Sequence, residues 1–117
     1  MSTFNGYDIV ERWFAVCGDE YNGPCDSADS AEIWANLNPA CDKKSGKFNG
    51  YKVEEAWVIL CKGKFRKGPF KTEKLAIKAA SRLIECGGTD PSYEYPEPGT
   101  VVNGKLDKGS PKIGPGM

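Results

Sequence analysis

The sequence predicts an α+β fold: two pseudo-symmetric ββα repeats forming a four-stranded antiparallel sheet with two helices on one face, plus an extended Gly/Pro-rich C-terminal arm. Three observations predict it. The chain repeats itself, because residues 4–17 read FNGYDIVERWFAVC and residues 48–61 read FNGYKVEEAWVILC. Each copy passes from period-two to helical placement of its apolar residues. Composition then shifts at Gly87 toward proline and glycine. A unit of about 44 residues that recurs once decides the architecture more firmly than composition does.

The domain boundaries follow. Residues 1–86 form the duplicated body, with repeat one at 4–38, a linker at 39–47 and repeat two at 48–86; residues 87–117 form the arm. In each repeat the first element is a strand. Tyr7, Ile9, Trp13 and Cys17 share one parity, as do Tyr51, Val53, Trp57, Ile59 and Cys61, which is the signature of a half-buried strand. Phe14–Cys17 and Val58–Cys61 are apolar on both parities, so the second half of each strand is expected to be covered on both faces or to meet an interface. Gly18-Asp19-Glu20 and Lys62-Gly63-Lys64 are turn chemistry. A short second strand carries Tyr21 or Phe65 and ends at Gly23-Pro24 or Gly68-Pro69, since proline cannot donate to a ladder.

A helix comes next. In repeat two Thr72 caps it, the stripe is Leu75, Ala79 and Leu83 with Ala76, Ala80 and Ile84 beside it, and Cys86-Gly87-Gly88 ends it. In repeat one Asp26 or Ser27 caps, Ala31, Trp34, Ala35 and Leu37 make a shorter stripe, and Asn38-Pro39 stops it. One hairpin and one helix cannot bury an apolar face alone, so the two units are expected to pack together. In the arm, Tyr93, Tyr95, Val101, Val102 and Ile113 are the available anchors, and Val101–Leu106 reads as a small hairpin.

The five cysteines are Cys17, Cys25, Cys41, Cys61 and Cys86. An odd number argues against a complete disulfide framework, and the expectation is reduced thiols in a cytoplasmic protein. With no histidine and no CxxC spacing, neither a metal nor a cofactor is expected. The apolar run Ala56–Cys61 is too short to span a membrane, and no basic stretch followed by an apolar one suggests a secretory signal.

The total charge is zero, yet residues 1–42 carry a net −7, residues 43–83 a net +9 and residues 84–117 a net −2. Such asymmetry bears on partners rather than on fold. Lys62, Lys64, Arg66 and Lys67 decorate the second hairpin, and Lys71, Lys74, Lys78 and Arg82 recur at helical spacing opposite the apolar stripe. This is the candidate surface for phosphates or an acidic protein; the plain alternative is a solvated helix face. Asp19, Glu20, Asp26, Asp29 and Glu32 form the acidic counterpart, for which the helix dipole is a sufficient structural reason. Trp34 has only alanine opposite it in the repeat and is a candidate exposed contact. Glu11 and Glu55 are equivalent carboxylates that would make an acid/base pair if they faced each other. No nucleophile, phosphate loop or metal cluster accompanies them, so catalysis is not expected.

The sequence therefore points to a small non-enzymatic macromolecule-binding protein that uses oppositely charged faces and its arm. The expected partner is another protein, with head-to-tail self-association as one form of it. The expected role is an inhibitor of a host factor or an assembly component. The general look of so small a chain suggests phage or viral origin, and with it a place in host cytoplasm or a virion. The alternative is nucleic-acid binding through Lys62–Arg82.

Overall fold

The computed structural model describes residues 2–41, 46–88, 94–97 and 99–109. In order they form β1 (Ser2–Phe4), β2 (Tyr7–Cys17), β3 (Glu20–Cys25), α1 (Ala28–Leu37), a 3-10 turn (Lys47–Gly50), β4 (Lys52–Cys61), β5 (Lys64–Phe70), α2 (Glu73–Ala80) and β6 (Val102–Lys105).

The long strands β2 and β4 pair antiparallel at the centre, from Asp8↔Leu60 to Val16↔Lys52. Arg12 and Ala56, equivalent positions of the two repeats, lie opposite each other, with Glu11↔Trp57 and Trp13↔Glu55 on either side. The repeats thus meet about a pseudo-twofold axis through that pair. Period-two alternation then sorts the side chains. Tyr7, Ile9, Ile59 and Cys61 pack with Phe70 against Ala76 and Ala80 of α2. Val10, Phe14, Val16, Ala56, Val58 and Leu60 pack with Tyr21 on the other side, and Phe65 and Leu106 close over them. That is why Val58–Cys61 is buried at four successive positions.

This second cluster overturns the four-stranded sheet with two helices on one face. Among the described residues, six strands form one nearly closed, barrel-like sheet in the order β5-β4-β2-β3-β6, with β1 on β2. A flat sheet covered on one face would leave Phe14, Val16, Val58 and Leu60 in water. Curling the sheet encloses them, at about 1.5–3 kcal/mol for each large side chain. The segment read as an extended arm, with anchors on its own domain or on a partner, helps to close it. β6 pairs antiparallel with β3 from Glu20↔Lys105 to Gly23↔Val102. Asp107 then bridges to Phe70 of β5: its N–H donates to Pro69 O and its carbonyl accepts from Lys71 N, both at 2.9 Å. Val101–Leu106 is therefore not a separate hairpin; its strand serves the main sheet and protects two edges. Of the anchors expected in the arm, Tyr95 packs at the α2 cluster, Val101 and Val102 are half-buried, and Tyr93 and Ile113 lie outside the described residues.

The repeated Asn-Gly-Tyr motif works across the repeats. Asn5 Nδ2 donates to Ala80 O (3.3 Å) and Leu83 O (2.8 Å), at the end of α2. Asn49 Nδ2 donates to Ala35 O (3.3 Å) and Asn38 O (2.6 Å), at the end of α1. Each motif thus supplies a side-chain donor to the last carbonyls of the other repeat's helix, adding to the backbone bonds that Leu83 N gives Ala80 O and Asn38 N gives Ala35 O. Both asparagines hold φ 57, the left-handed region that asparagine tolerates well. The tyrosines follow suit: Tyr7 Oη donates to Ile84 O, and Tyr51 Oη to Pro39 O. At the other helix ends, Ser27 and Thr72 accept from the N–H three residues on, as caps. Gly23 and Gly68 answer to close approach, since a Cβ would stand 2.6 Å from the Phe14 ring or 3.0 Å from Val58 Cγ1.

The cysteines correct the expectation of reduced thiols. Cys17 is bonded to Cys41 and Cys61 to Cys86, with Cα separations of 5.6 and 5.5 Å, while Cys25 is free and buried. The bonds are repeat-equivalent: each ties the end of a long strand to the chain just after a helix. Disulfides persist in oxidising compartments, so the cytoplasmic expectation loses its ground. Among the described residues, no helix is long and apolar enough to cross a membrane.

Candidate functional site

The repeat places the two helices in register, and the comparison separates what the fold needs from what it does not. Facing inward, Ala31 and Ala35 of α1 correspond to Ala76 and Ala80 of α2, and all four are buried. Facing outward, Asp26, Asp29, Ile33 and Leu37 correspond to Lys71, Lys74, Lys78 and Arg82. All eight are exposed.

The basic residues form a row along α2. Lys71 precedes its first turn, Lys74 and Lys78 lie one turn apart, and Arg82 follows its end. The Cys61–Cys86 bond brings that end to the β4–β5 hairpin, whose tip carries Lys62 and Lys64. Lys62 Nζ would stand 4.0 Å from a Cβ placed on Gly87. Lys67 is exposed on β5, whereas Arg66 is half-buried. The structure thus sets Lys71, Lys74, Lys78 and Arg82 in a row along α2 and brings the β4–β5 turn, with Lys62 and Lys64, to the end of that row.

The acidic residues are divided. Asp19 and Glu20 sit at the β2–β3 turn, one end of β3, and Asp26 lies just past its other end. Asp19 is 3.5 Å from Lys105, both largely exposed; such a pair is worth well under about 1 kcal/mol. Asp29 lies in the first turn of α1 and Glu32 is half-buried. Beyond them the outer face turns apolar: Ile33 is 58% and Leu37 80% exposed. Leu37, read as part of a buried stripe, is therefore outside it. Its repeat partner is Arg82, and that signal was present in the sequence. Trp34 is half-buried, with its ring edge-on to Tyr51 at 5.5 Å.

A cleft of about 400 Å³ runs beside this apolar row, lined by Arg12, Cys25, Ile33, Trp34, Leu37 and Phe65 among others. Arg12 Nη1 donates to Glu11 O at 2.9 Å, and Nε lies 3.9 Å from Asp26 Oδ1. Burial, and then the charge of Asp26, pushes the Cys25 thiol up, which keeps it protonated and unreactive at neutral pH. A second hollow, of about 540 Å³, lies at the Asp19 end, between Tyr21 and Leu106. There the Tyr21 hydroxyl donates to Glu54 Oε1 at 3.1 Å; burial, and then Glu54, raises its pKa. Glu11 and Glu55 do not face each other, because each lies opposite the other repeat's tryptophan. Among the described residues, no three His, Cys, Asp or Glu side chains converge on a metal position.

Comparison of the chain with family models, curated proteins and solved structures finds no match.

Proposed function

We propose that the protein is a non-enzymatic binding protein whose contact surface is the basic flank of α2 and the β4–β5 hairpin, and whose partner is an acidic macromolecule. One observation carries this reading. The α1 helix folds in the same register with Asp, Asp, Ile and Leu where α2 has Lys71, Lys74, Lys78 and Arg82. Helix packing therefore does not require cations at those positions, and a demand from outside the fold accounts for them. Mutual repulsion along the row disfavours the isolated helix by a few tenths of a kcal/mol per like-charged pair, which contact with a polyanionic surface removes. The two disulfides favour an oxidising compartment over a reducing cytoplasm for this role.

A protein partner comes first. The unbroken spacing of the row also suits a phosphate backbone, so nucleic acid is the second reading. Affinity capture from native lysate, with and without nuclease, separates the two. The wild-type chain is expected to retain a stoichiometric protein after nuclease, and Lys74→Glu/Lys78→Glu/Arg82→Glu to lose it. Recovery that vanishes with nuclease favours the second reading. Capture unchanged by the triple variant overturns both.

A further inference from the structure

We infer that a second copy of this chain is an acidic partner of the basic flank, the outer face of α1 in one molecule docking on the outer face of α2 in the next. This rests on the reading of α2 as a contact surface and names what meets it.

Two oppositely marked surfaces stand on one molecule, with Arg12 the neighbour of Asp26 on one of them. α2 presents Lys71, Lys74, Lys78 and Arg82, while α1 presents Asp26 and Asp29 followed by Ile33 and Leu37. The charges are opposite at equivalent positions, Asp26 with Lys71 just before each cap and Asp29 with Lys74 in each first turn. The apolar half has a match as well, because lysine and arginine lay their alkyl stems over apolar surface while their charged ends stay in water. A nucleic acid on α2 would leave Ile33 and Leu37 in solvent; a second copy covers both faces with one kind of contact. The segregation of charge, −7 over residues 1–42 and +9 over residues 43–83, suits a self-complementary chain.

The geometry sets the kind of assembly. The two faces belong to separate helices, so using one leaves the other free. A contact of this heterologous kind propagates into open arrays or rings and does not stop at a closed dimer. A contact confined to one helix on each side is small, and interfaces below about 1,200 Å² belong to weak encounters. Association is therefore expected at high protein concentration and low salt. It should fade as the Debye length shrinks from about 10 Å at 0.1 M salt to about 3 Å at 1 M.

Sedimentation velocity on the full oxidised chain tests this. At about 0.05 M salt the average mass is expected to rise with concentration past that of a dimer, and to return to monomer near about 1 M. Asp26→Asn/Asp29→Asn, which lacks the acidic face, and Lys74→Glu/Lys78→Glu/Arg82→Glu, which lacks the basic one, are each expected to remain monomeric. Mixed, the two variants keep one intact face each and are expected to give a 1:1 pair and nothing larger. Circular dichroism checks that both stay folded, as substitutions at exposed positions should. Wild type that is monomeric at low salt and high concentration overturns the inference; if it still captures a foreign partner through α2, the broader reading survives. A dimer that grows no further, or association that persists in both variants, also overturns the inference.

Discussion

The outer faces of α1 and α2 occupy equivalent places in one duplicated design and share no charge character, whereas their inner faces share buried alanines, side-chain caps and disulfide tethers. At the helix ends and at the close approaches behind the hairpins, the copies agree. Asn5 and Asn49 must take a left-handed backbone and cap a helix, and Gly23 and Gly68 must admit a neighbouring side chain. Where only water is adjacent, they differ. On the helices the likeness of the inner faces answers to packing, and the unlike outer faces are open to whatever approaches from outside.

Removing the equivalent tethers is the largest disturbance available. Cys17–Cys41 and Cys61–Cys86 close loops of nearly equal length, with separations of 24 and 25 residues. Loops of that size predict about 3 kcal/mol each. Cys17→Ser/Cys41→Ser and Cys61→Ser/Cys86→Ser are thus expected to lower the denaturation midpoint by similar amounts in urea. A large inequality would show that the repeats are not mechanically alike.

Smaller in effect, and sharper, is the crossed capping. Asn5→Ala and Asn49→Ala are each expected to cost about 1–3 kcal/mol, from lost hydrogen bonds to buried carbonyls and a strained backbone. The location distinguishes this account from a purely local turn. Hydrogen exchange should accelerate at the end of α2 in Asn5→Ala and at the end of α1 in Asn49→Ala. Loosening confined to the mutated motif's own repeat would break the comparison.

The smallest expected effect is a pH dependence that one repeat has and the other lacks. Tyr21 corresponds to Phe65. Because burial and Glu54 raise the Tyr21 pKa above 10.0, the folded state holds that proton more tightly than the unfolded state. The resulting stability is complete below the unfolded pKa and is lost as pH rises through the folded one. Cys25, raised above 9.0, acts in the same direction. Thermal unfolding of wild type is expected to weaken more steeply above about pH 10 than that of Tyr21→Phe, Cys25 acting alike in both. Parallel curves would show that the Tyr21–Glu54 contact has no thermodynamic weight.

Much of this is written in the sequence, unevenly. The duplication shows directly because strand parity and helix spacing are local. The doubly apolar runs Phe14–Cys17 and Val58–Cys61 already imply a second buried side, and a curled sheet is the way to supply one. The partner of strand β6 is hidden because its pairing with β3 rests on backbone bonds and one side-chain bond, Asn103 Nδ2 to Asn22 Oδ1 at 2.9 Å, within a segment whose glycines and prolines read as extended chain. The disulfides were obscured by the odd count. Aligned by repeat, Cys17 matches Cys61 and Cys41 matches Cys86, and only Cys25, opposite Phe70, is left over. The basic row is legible from spacing, but its continuity with Lys62 and Lys64 depends on the Cys61–Cys86 bond. The exposure of Ile33 and Leu37 becomes readable once they are set against Lys78 and Arg82.

The central claim is that the outer face of α2 serves a partner and not the fold. Giving α2 the outer residues of α1, as Lys71→Asp/Lys74→Asp/Lys78→Ile/Arg82→Leu, tests it most directly. Thermal unfolding and capture from native lysate are then measured on the same preparation. The expected result is a midpoint close to that of wild type together with loss of the captured partner. Undiminished capture by a folded variant would contradict it.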